Sequence, residues 1–218
     1  MIKLLFVFVL LLSSTLLYFL NAIHPVNGGV PLSILFIAML VVKIWESFYT
    51  SKEKEASKYN GDWTLILTSV LYYFASVLIV IEFYSLNRGL NPIILVIGIL
   101  VIIFAAIVRR WSIKTLGNQW AIHAIGPSKL LSKHNLVDKG PYKYTRHPIY
   151  LSYIFDLIGL ALAFNSYYSI IFICIVNVSS YIIRAHHEEA FSVERIGNYY
   201  VDYKSKTPFF LPIGRKRK

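Results

Sequence analysis

Arg184 and Glu188 stand four residues apart, with Glu189 next in line. On a helix that spacing puts the cation and the first carboxylate on one face. Exposed and alone, such a pair adds only about 0.2–0.5 kcal/mol. Facing a pocket, it is split, with the guanidinium holding an anionic group and the carboxylate a cationic one. Glu189 or His187 beside it could serve as base toward a proton-bearing nucleophile. A second polar cluster lies upstream in HNLVDKGPYKYTRHPIY, residues His134 to Tyr150. It offers His134, Tyr142, Tyr144, Arg146, His147 and Tyr150. The three tyrosines present faces that suit stacking on a planar ring such as a purine. Pro148 biases His147 toward extended backbone and opens a helix whose first N–H groups can meet a ligand.

Other chemistries find less support. Of six histidines, His186 and His187 are adjacent and diverge on a helix, and neither HxxxH nor HExxH occurs. The one cysteine, Cys174, excludes an internal disulfide and a CxxC site. Neither GxGxxG after a strand nor GxxxxGK[ST] is present, so a nucleotide-like cofactor would not use a Rossmann or P-loop cradle. No metal site is expected.

Both clusters border apolar segments. The 218-residue chain is 56% hydrophobic, against about 45–50% apolar for soluble domains, and its mean hydropathy is +0.58. Six runs approach the roughly 20 apolar residues that span a bilayer: Leu4–Leu20, Val30–Phe48, Trp63–Tyr84, Pro92–Val108, Ile149–Phe164 and Tyr167–Ile183. The last two, parted only by Asn165-Ser166, read as a tight helical hairpin. Each is short for a full span, which suits a pair that enters and leaves on one side. The expectation is an all-α, multi-pass transmembrane protein with about five membrane segments, a C-terminal helical hairpin and a cytosolic cofactor pocket. Residues 1–110 would form the N-terminal helices. Residues 111–218 would hold the cytosolic loop, hairpin and tail that carry the site.

The net charge of +11 fits this topology better than nucleic-acid binding. With the N-terminus inside, Lys3 and the loops Ser51–Asp62, Arg109–His147 and Arg184–Lys218 hold twenty of the 22 Lys and Arg residues, as the positive-inside rule requires. Both termini are then cytoplasmic, and the final GRKRK meets anionic headgroups. The first segment is read as a retained anchor, its rival being a cleaved signal peptide. The hairpin returns the chain to the side it left, which brings the two polar clusters together. Tyr, Lys and Arg also gather at headgroup level as anchors, and any one of these residues fits that role. Two clusters of ionisable groups at membrane depth fit a site better.

The stretch HNLVDKGPYKYTRHPIY, the apolar hairpin, and RAHHEEAFSVERIGNYYVDYKSKTPFFLP together resemble the isoprenylcysteine carboxyl methyltransferase family, within a group that includes phospholipid N-methyltransferases. The resemblance covers about His123 to Pro212, with a weaker echo in LGNQW. Arg184-x-x-x-Glu188-Glu189 and Tyr200-x-x-Tyr203 fit its pattern. Ser152 departs from it, standing where the family often has glycine, and being small should be tolerated. The resemblance implies S-adenosylmethionine as methyl donor. It places His134, Asn135, Leu136, Val137, Tyr142, His147, Pro148, Ile149 and Tyr150 against that donor and Glu188 on its amino group. Arg184 would pair with the acceptor's carboxylate and Arg146 would order the loop. A lipophilic or prenylated acceptor would enter from the bilayer, and the short chain resembles the prokaryotic form, in a cell membrane.

Methyl transfer from a sulfonium is an in-line displacement, and holding nucleophile and methyl in near-attack geometry can supply about 7–11 kcal/mol. A carboxylate nucleophile, with a pKa of about 4, is already ionised and needs no base; a phenol or amine needs one. The acceptor expected is a prenylcysteine-type carboxylate, with another lipid-like phenol or amine as alternative. An NADPH-dependent sterol-type reductase, whose C-terminal motif is similar, and a non-enzymatic lipid-binding protein are the remaining rivals.

Overall fold

A computed structural model describes residues 2–48, 63–117 and 136–210, and among these the regular structure is helical throughout. The helices are α1 (Ile2–Ile23), α2 (Gly29–Phe48), α3 (Trp63–Ser85), α4 (Pro92–Leu116), α5 (Pro148–Ala163), α6 (Tyr167–Phe172), α7 (Val178–Ile196) and α8 (Asn198–Lys206). A 3-10 turn, Gly140–Lys143, precedes α5, and a π-helical turn, Ile173–Asn177, joins α6 to α7. Among the described residues, three stretches are long and apolar enough to cross a membrane: Trp63–Ser85, Pro92–Leu116 and the continuous run Tyr167–Ile196. Shorter apolar helices cover Leu11–Ile23, Gly29–Lys43 and Pro148–Ala163.

Local signals explain the boundaries. Asn91 caps α4 by accepting from the backbone N–H groups of Ile93 and Ile94, and Pro92 fills the first turn, where a missing N–H costs nothing. Pro148 opens α5 in the same way. The hairpin turn bends at Asn165, φ +52°, a left-handed conformation that asparagine tolerates better than most side chains.

Three turns gather at one end of the bundle. The Leu90 N–H donates to the Asn27 carbonyl, joining the α1–α2 and α3–α4 turns, and the Asn165 amide donates to the Gly89 carbonyl, joining the hairpin to both. Glu82 receives the N–H groups of Tyr168 and Ser169, satisfying the start of α6 from α3. The hairpin therefore reaches from the site to the opposite end of the bundle. Its second arm is longer than its apolar run suggested: the helical path runs 30 residues, so that arm is not short. Arg109 likewise does not begin a loop, because α4 continues to Leu116. The polar side chains of both extensions are helical because amphipathic ends can bury one face and wet the other.

Small residues let α4 and α5 approach closely. A Cβ added at Gly98 would stand 2.6 Å from the Gly159 carbonyl oxygen and the Ala163 nitrogen, the kind of backbone contact that joins membrane helices. The departure at Ser152 is accommodated, since its buried hydroxyl donates to the Ile149 carbonyl of its own helix. The apolar core forms around Leu32, Phe36, Ile79, Phe83, Leu157, Leu160 and Phe164.

An ion cluster lies about 12 Å along α5 from its start. Asp156, 1% exposed, receives both Arg109 of α4 and, at 2.5 Å, Lys43 of α2. Both cations lie over the Tyr153 ring. Buried carboxylates hold such pairs tightly when each is satisfied, so three helices are tied at membrane depth.

Candidate functional site

At the end opposite the three turns, α5 and α7 bring the two polar clusters together. The Pro148 turn aims His147 and Tyr150 inward, and both are buried. Their rings stack in parallel, 5.7 Å apart and 7° from coplanar. Arg184 and Glu188 project from α7 onto the same space. Arg184 Nε donates to the Tyr150 hydroxyl at 2.8 Å, and that hydroxyl donates to Glu188. Arg184 Nε lies 3.8 Å from Glu188 Oε1. The Tyr150 phenol thus bridges the cation and carboxylate that the sequence spacing had put on one face. The Arg184 side chain is 4% exposed, whereas that of Glu188 is 31% exposed. The carboxylate is open to a ligand, and the guanidinium is held from within.

Glu189 points elsewhere. Its side chain is 2% exposed, and its carboxylate meets Arg146 Nε at 2.7 Å, His147 Nε2 at 3.0 Å and Lys204 Nζ at 2.8 Å. Arg146 also donates to the carbonyls of Lys204 and Thr207, and the Thr145 hydroxyl donates to the carbonyl of Phe209. Glu189 is therefore the hub that fastens α7, the pre-α5 turn and the segment after α8 to one another. The expectation of Glu189 as a base stands beside this structural role, which its three cationic and ring N–H neighbours favour. The loop-ordering role expected for Arg146 matches its contacts.

The tail closes over this hub. The Phe209 ring sits 5.0 Å from both the His147 and His186 rings. Tyr203 donates to the Tyr142 carbonyl at 2.7 Å, holding α8 against the 3-10 turn. Burial, with the nearby Glu188 carboxylate, keeps the Tyr142 phenol well above its usual range, and burial raises Tyr200 and Tyr203 as well. Burial favours the neutral phenol at all three, and Tyr203 is the one seen donating.

Of the residues expected at a donor site, Tyr142, His147, Pro148, Ile149 and Tyr150 are buried around this space, and Leu136 and Val137 are half-buried in the segment leading to it. His134 and Asn135 lie outside the described residues. Among the described residues, three contributors went unread in the sequence. Tyr181 stacks between Tyr150 and Tyr153, at 5.5 and 6.0 Å. Its position three residues before Arg184 was the available signal. Lys204 sits in a tail read only as charged. The Thr64 hydroxyl, at the start of α3, accepts from Arg184 Nη1 at 3.3 Å, and an apolar helix gave no sign of it.

The residues fit a zwitterionic, ring-bearing cofactor of the S-adenosylmethionine kind. Glu188 offers an accessible carboxylate for an ammonium, His147 and Tyr150 form an aromatic wall, and protonated phenols supply donors.

Comparison with known proteins bears on the same region. Residues 96–193 match the isoprenylcysteine carboxyl methyltransferase (ICMT) family. A protein-S-isoprenylcysteine O-methyltransferase of Xenopus laevis is 26% identical over 118 residues, 54% of this chain and 40% of that one. That of Saccharomyces cerevisiae is 29% identical over 118 residues, 54% and 48%. The chain thus spans less than half the length of these relatives. YpbQ of Bacillus subtilis is 26% identical over 164 residues, covering 71% of this chain and 93% of that one. A solved structure of a eukaryotic intramembrane Ras methyltransferase, ICMT, shares the fold at a TM-score of 0.52 and 18% identity, across 100% of this chain and 88% of that one. Residues 96–193, the stretch similar to the isoprenylcysteine carboxyl methyltransferase family, hold most of α4, all of α5, the Arg146-His147 turn and the Arg184–Glu189 face of α7.

Proposed function

We propose that this protein is a membrane methyltransferase that uses S-adenosylmethionine to methylate a lipophilic carboxylate, of the prenylcysteine type, at the cytosolic face of a cell membrane. The observation that carries this reading is the Arg184–Tyr150–Glu188 bridge. It sets a buried guanidinium and an accessible carboxylate one hydroxyl apart. Glu188 binds the donor's amino group. Arg184, with its fork of N–H groups, orients a carboxylate toward the methyl by paired hydrogen bonds. When bound, the donor supplies a methyl on a positive sulfur, and the rest of the catalysis is positioning. His147 and Tyr150 hold the donor's rings and shield the reacting face from water. Leu136, Val137, Tyr142, Pro148 and Ile149 complete that pocket; the family resemblance assigns His134 and Asn135, outside the described residues, to the same donor.

A carboxylate acceptor agrees with the fate of the candidate bases. Glu189 is committed to Arg146, His147 and Lys204, and His187 packs its ring against Trp63 and Phe191. An acceptor that arrives ionised needs neither. The apolar remainder of the acceptor lies among the helices, in the bilayer, and both chain termini face the cytoplasm with the site.

The test is binding followed by turnover, on protein purified in detergent. S-adenosylmethionine and NADPH are titrated separately into wild type and Glu188→Ala, and methyl transfer to S-farnesylated N-acetylcysteine is then measured. Binding of S-adenosylmethionine, weakened at least about tenfold by loss of the carboxylate, with transfer to the probe, is the expected result. Binding of NADPH in its place would overturn the reading in favour of a reductase. Donor binding with transfer only to phenol or amine lipids would replace the acceptor.

A further inference from the structure

The second arm of the hairpin is interrupted part-way along. Between α6 and α7 the helix widens into the π turn Ile173–Asn177. Asn177 closes that turn and is fully buried. Its backbone carbonyl accepts from the Ser180 hydroxyl at 2.7 Å. Neither its side-chain oxygen nor its side-chain nitrogen has a protein partner, and it is the one buried side chain among the described residues with donor and acceptor both unpaired. Asparagines nearer the bundle end are paired: Asn165 donates to the Gly89 carbonyl, and Asn21 to the Leu17 carbonyl and the Ser33 hydroxyl. Ile173, at the start of the turn, belongs to the apolar core with Leu157, Leu160 and Phe164. An amide held in such surroundings without a hydrogen bond is costly. Helices kink or widen where a water or a side chain enters the hydrogen-bond ladder, and π turns occur mostly at functional sites.

Asn177 also stands in line with the site. Asn177, Tyr181, Arg184 and Glu188 are spaced i, i+4, i+7 and i+11, which is one face of α7. Along the helix axis Asn177 lies about 10 Å deeper than Arg184. The arm is pinned on both sides of the turn. Glu82 receives the N–H groups of Tyr168 and Ser169 at its start, and Tyr150 holds Arg184 beyond it. The turn between these pins sets the rotation of α7. We propose that Asn177 and the π turn form a buried binding site for one internal water, which bridges the Asn177 amide to the widened ladder and keeps Arg184 and Glu188 facing Tyr150. A water both donates and accepts, as the Asn177 amide requires, and carbonyls of the turn complete its partners. Without it the ladder closes toward ordinary α spacing, which turns α7 by several tens of degrees against α6. Asn177 is thus a positioning residue. The water site is independent of the methyltransferase reading, and its effect on donor binding rests on that reading.

The experiment compares wild type, Asn177→Leu and Asn177→Ser in the full chain, reconstituted in bilayers with isotope-labelled asparagine side chains. The Asn177 amide signal is identified by its loss in the leucine variant. Three quantities are read: magnetisation transfer from water to that amide, the Kd of S-adenosylmethionine, and the midpoint of thermal unfolding. The expected result is transfer from a held water in wild type, and a donor Kd weakened about 5- to 10-fold in Asn177→Leu. Asn177→Ser, whose hydroxyl can hold the same water, should bind donor within about twofold of wild type. An Asn177 amide that receives no magnetisation from water overturns the site. Transfer in wild type with an unchanged Kd in Asn177→Leu overturns the positioning role. So does an equal loss of donor binding in both variants with a lowered unfolding midpoint, which marks a packing defect. A wild-type protein that binds no S-adenosylmethionine overturns the methyltransferase reading and the effect on donor binding with it, while the transfer from water still decides the site.

Discussion

Replacing Glu189 with glutamine separates a structural carboxylate from a catalytic one. The wild-type carboxylate, 2% exposed, faces Arg146 at 7% exposure and Lys204 at 43%. Glutamine can still accept from Arg146 Nε, but it removes the counter-charge of a buried guanidinium. Breaking a buried pair from one side costs about 3–5 kcal/mol. The Lys204 contact is half in solvent and adds at most about 1 kcal/mol. The retained acceptor offsets part of the first figure, so a loss of about 2–4 kcal/mol is expected. Loss on that scale lowers the thermal midpoint by several degrees in a chain of this size. The turnover per folded molecule, measured at saturating donor and acceptor, should fall less than about tenfold, because no proton passes through Glu189. A general base would behave in the opposite way: Glu189→Gln would leave the midpoint in place and cut kcat by about 10²- to 10⁴-fold. That pattern would refute the placement of Glu189 in the frame.

Two further outcomes follow from the geometry. Asp156→Asn leaves Arg109 and Lys43 without their shared carboxylate at membrane depth and should destabilise the fold by about 3–5 kcal/mol; in thermal unfolding it should fall below Lys43→Met, which preserves the Arg109–Asp156 pair, and the reverse order would count against the cluster's role. Tyr203, held above the ordinary phenol range mainly by burial, contributes stability that is complete below about pH 10 and lost as pH rises beyond, where the unfolded chain ionises first; unfolding midpoints taken from pH 8 to 11 should fall less steeply for Tyr203→Phe than for wild type.

The sequence disclosed those parts of the site that are written locally. Arg184 and Glu188 are four apart on one helix, and His147-Pro148 marks the turn into another. Both facts depend on short-range geometry, and both reappear in the structure. The hairpin at Asn165-Ser166 was legible for the same reason. Helix ends were less so, because hydropathy stops where charge begins and helices do not. Arg109 and Arg110 read as loop residues, yet they lie within α4, whose hydrogen bonds continue past the apolar run. Partner choice was least legible. Glu188 and Glu189 are adjacent and identical in type, but a 100° step on the helix leaves one partly exposed beside Tyr150 and turns the other inward to Arg146, His147 and Lys204. No composition or spacing rule distinguishes them before the turn at Arg146 and the tail at Lys204 are placed.

The same geometry bears on why the N-terminal helices belong to the working protein. The family match begins at residue 96, and α1 to α3 lie before it. Two of these helices nevertheless place polar atoms on the matched region. Lys43 of α2 reaches Asp156 on α5, and Thr64 of α3 reaches Arg184 on α7. Apolar side chains gain little from contact with one another in a bilayer, where lipid tails are as apolar as leucine, so polar contacts and close packing determine which helices associate. The two contacts lie at different heights. Lys43 ties α2 to the α4–α5 pair, and its cation covers Tyr153, whose ring stacks on Tyr181 and so on Tyr150. Thr64 ties α3 to the guanidinium that Tyr150 also holds. The position of Tyr150 is thereby constrained from the deep ion cluster and from the α3 terminus together. A site built only from α4, α5 and α7 would keep its chemistry-bearing residues but lose two of the contacts that set their orientation. The proposed in-line methyl transfer would be sensitive to displacements of about 1 Å, so loss of both contacts together should lower catalytic efficiency even where every catalytic side chain remains.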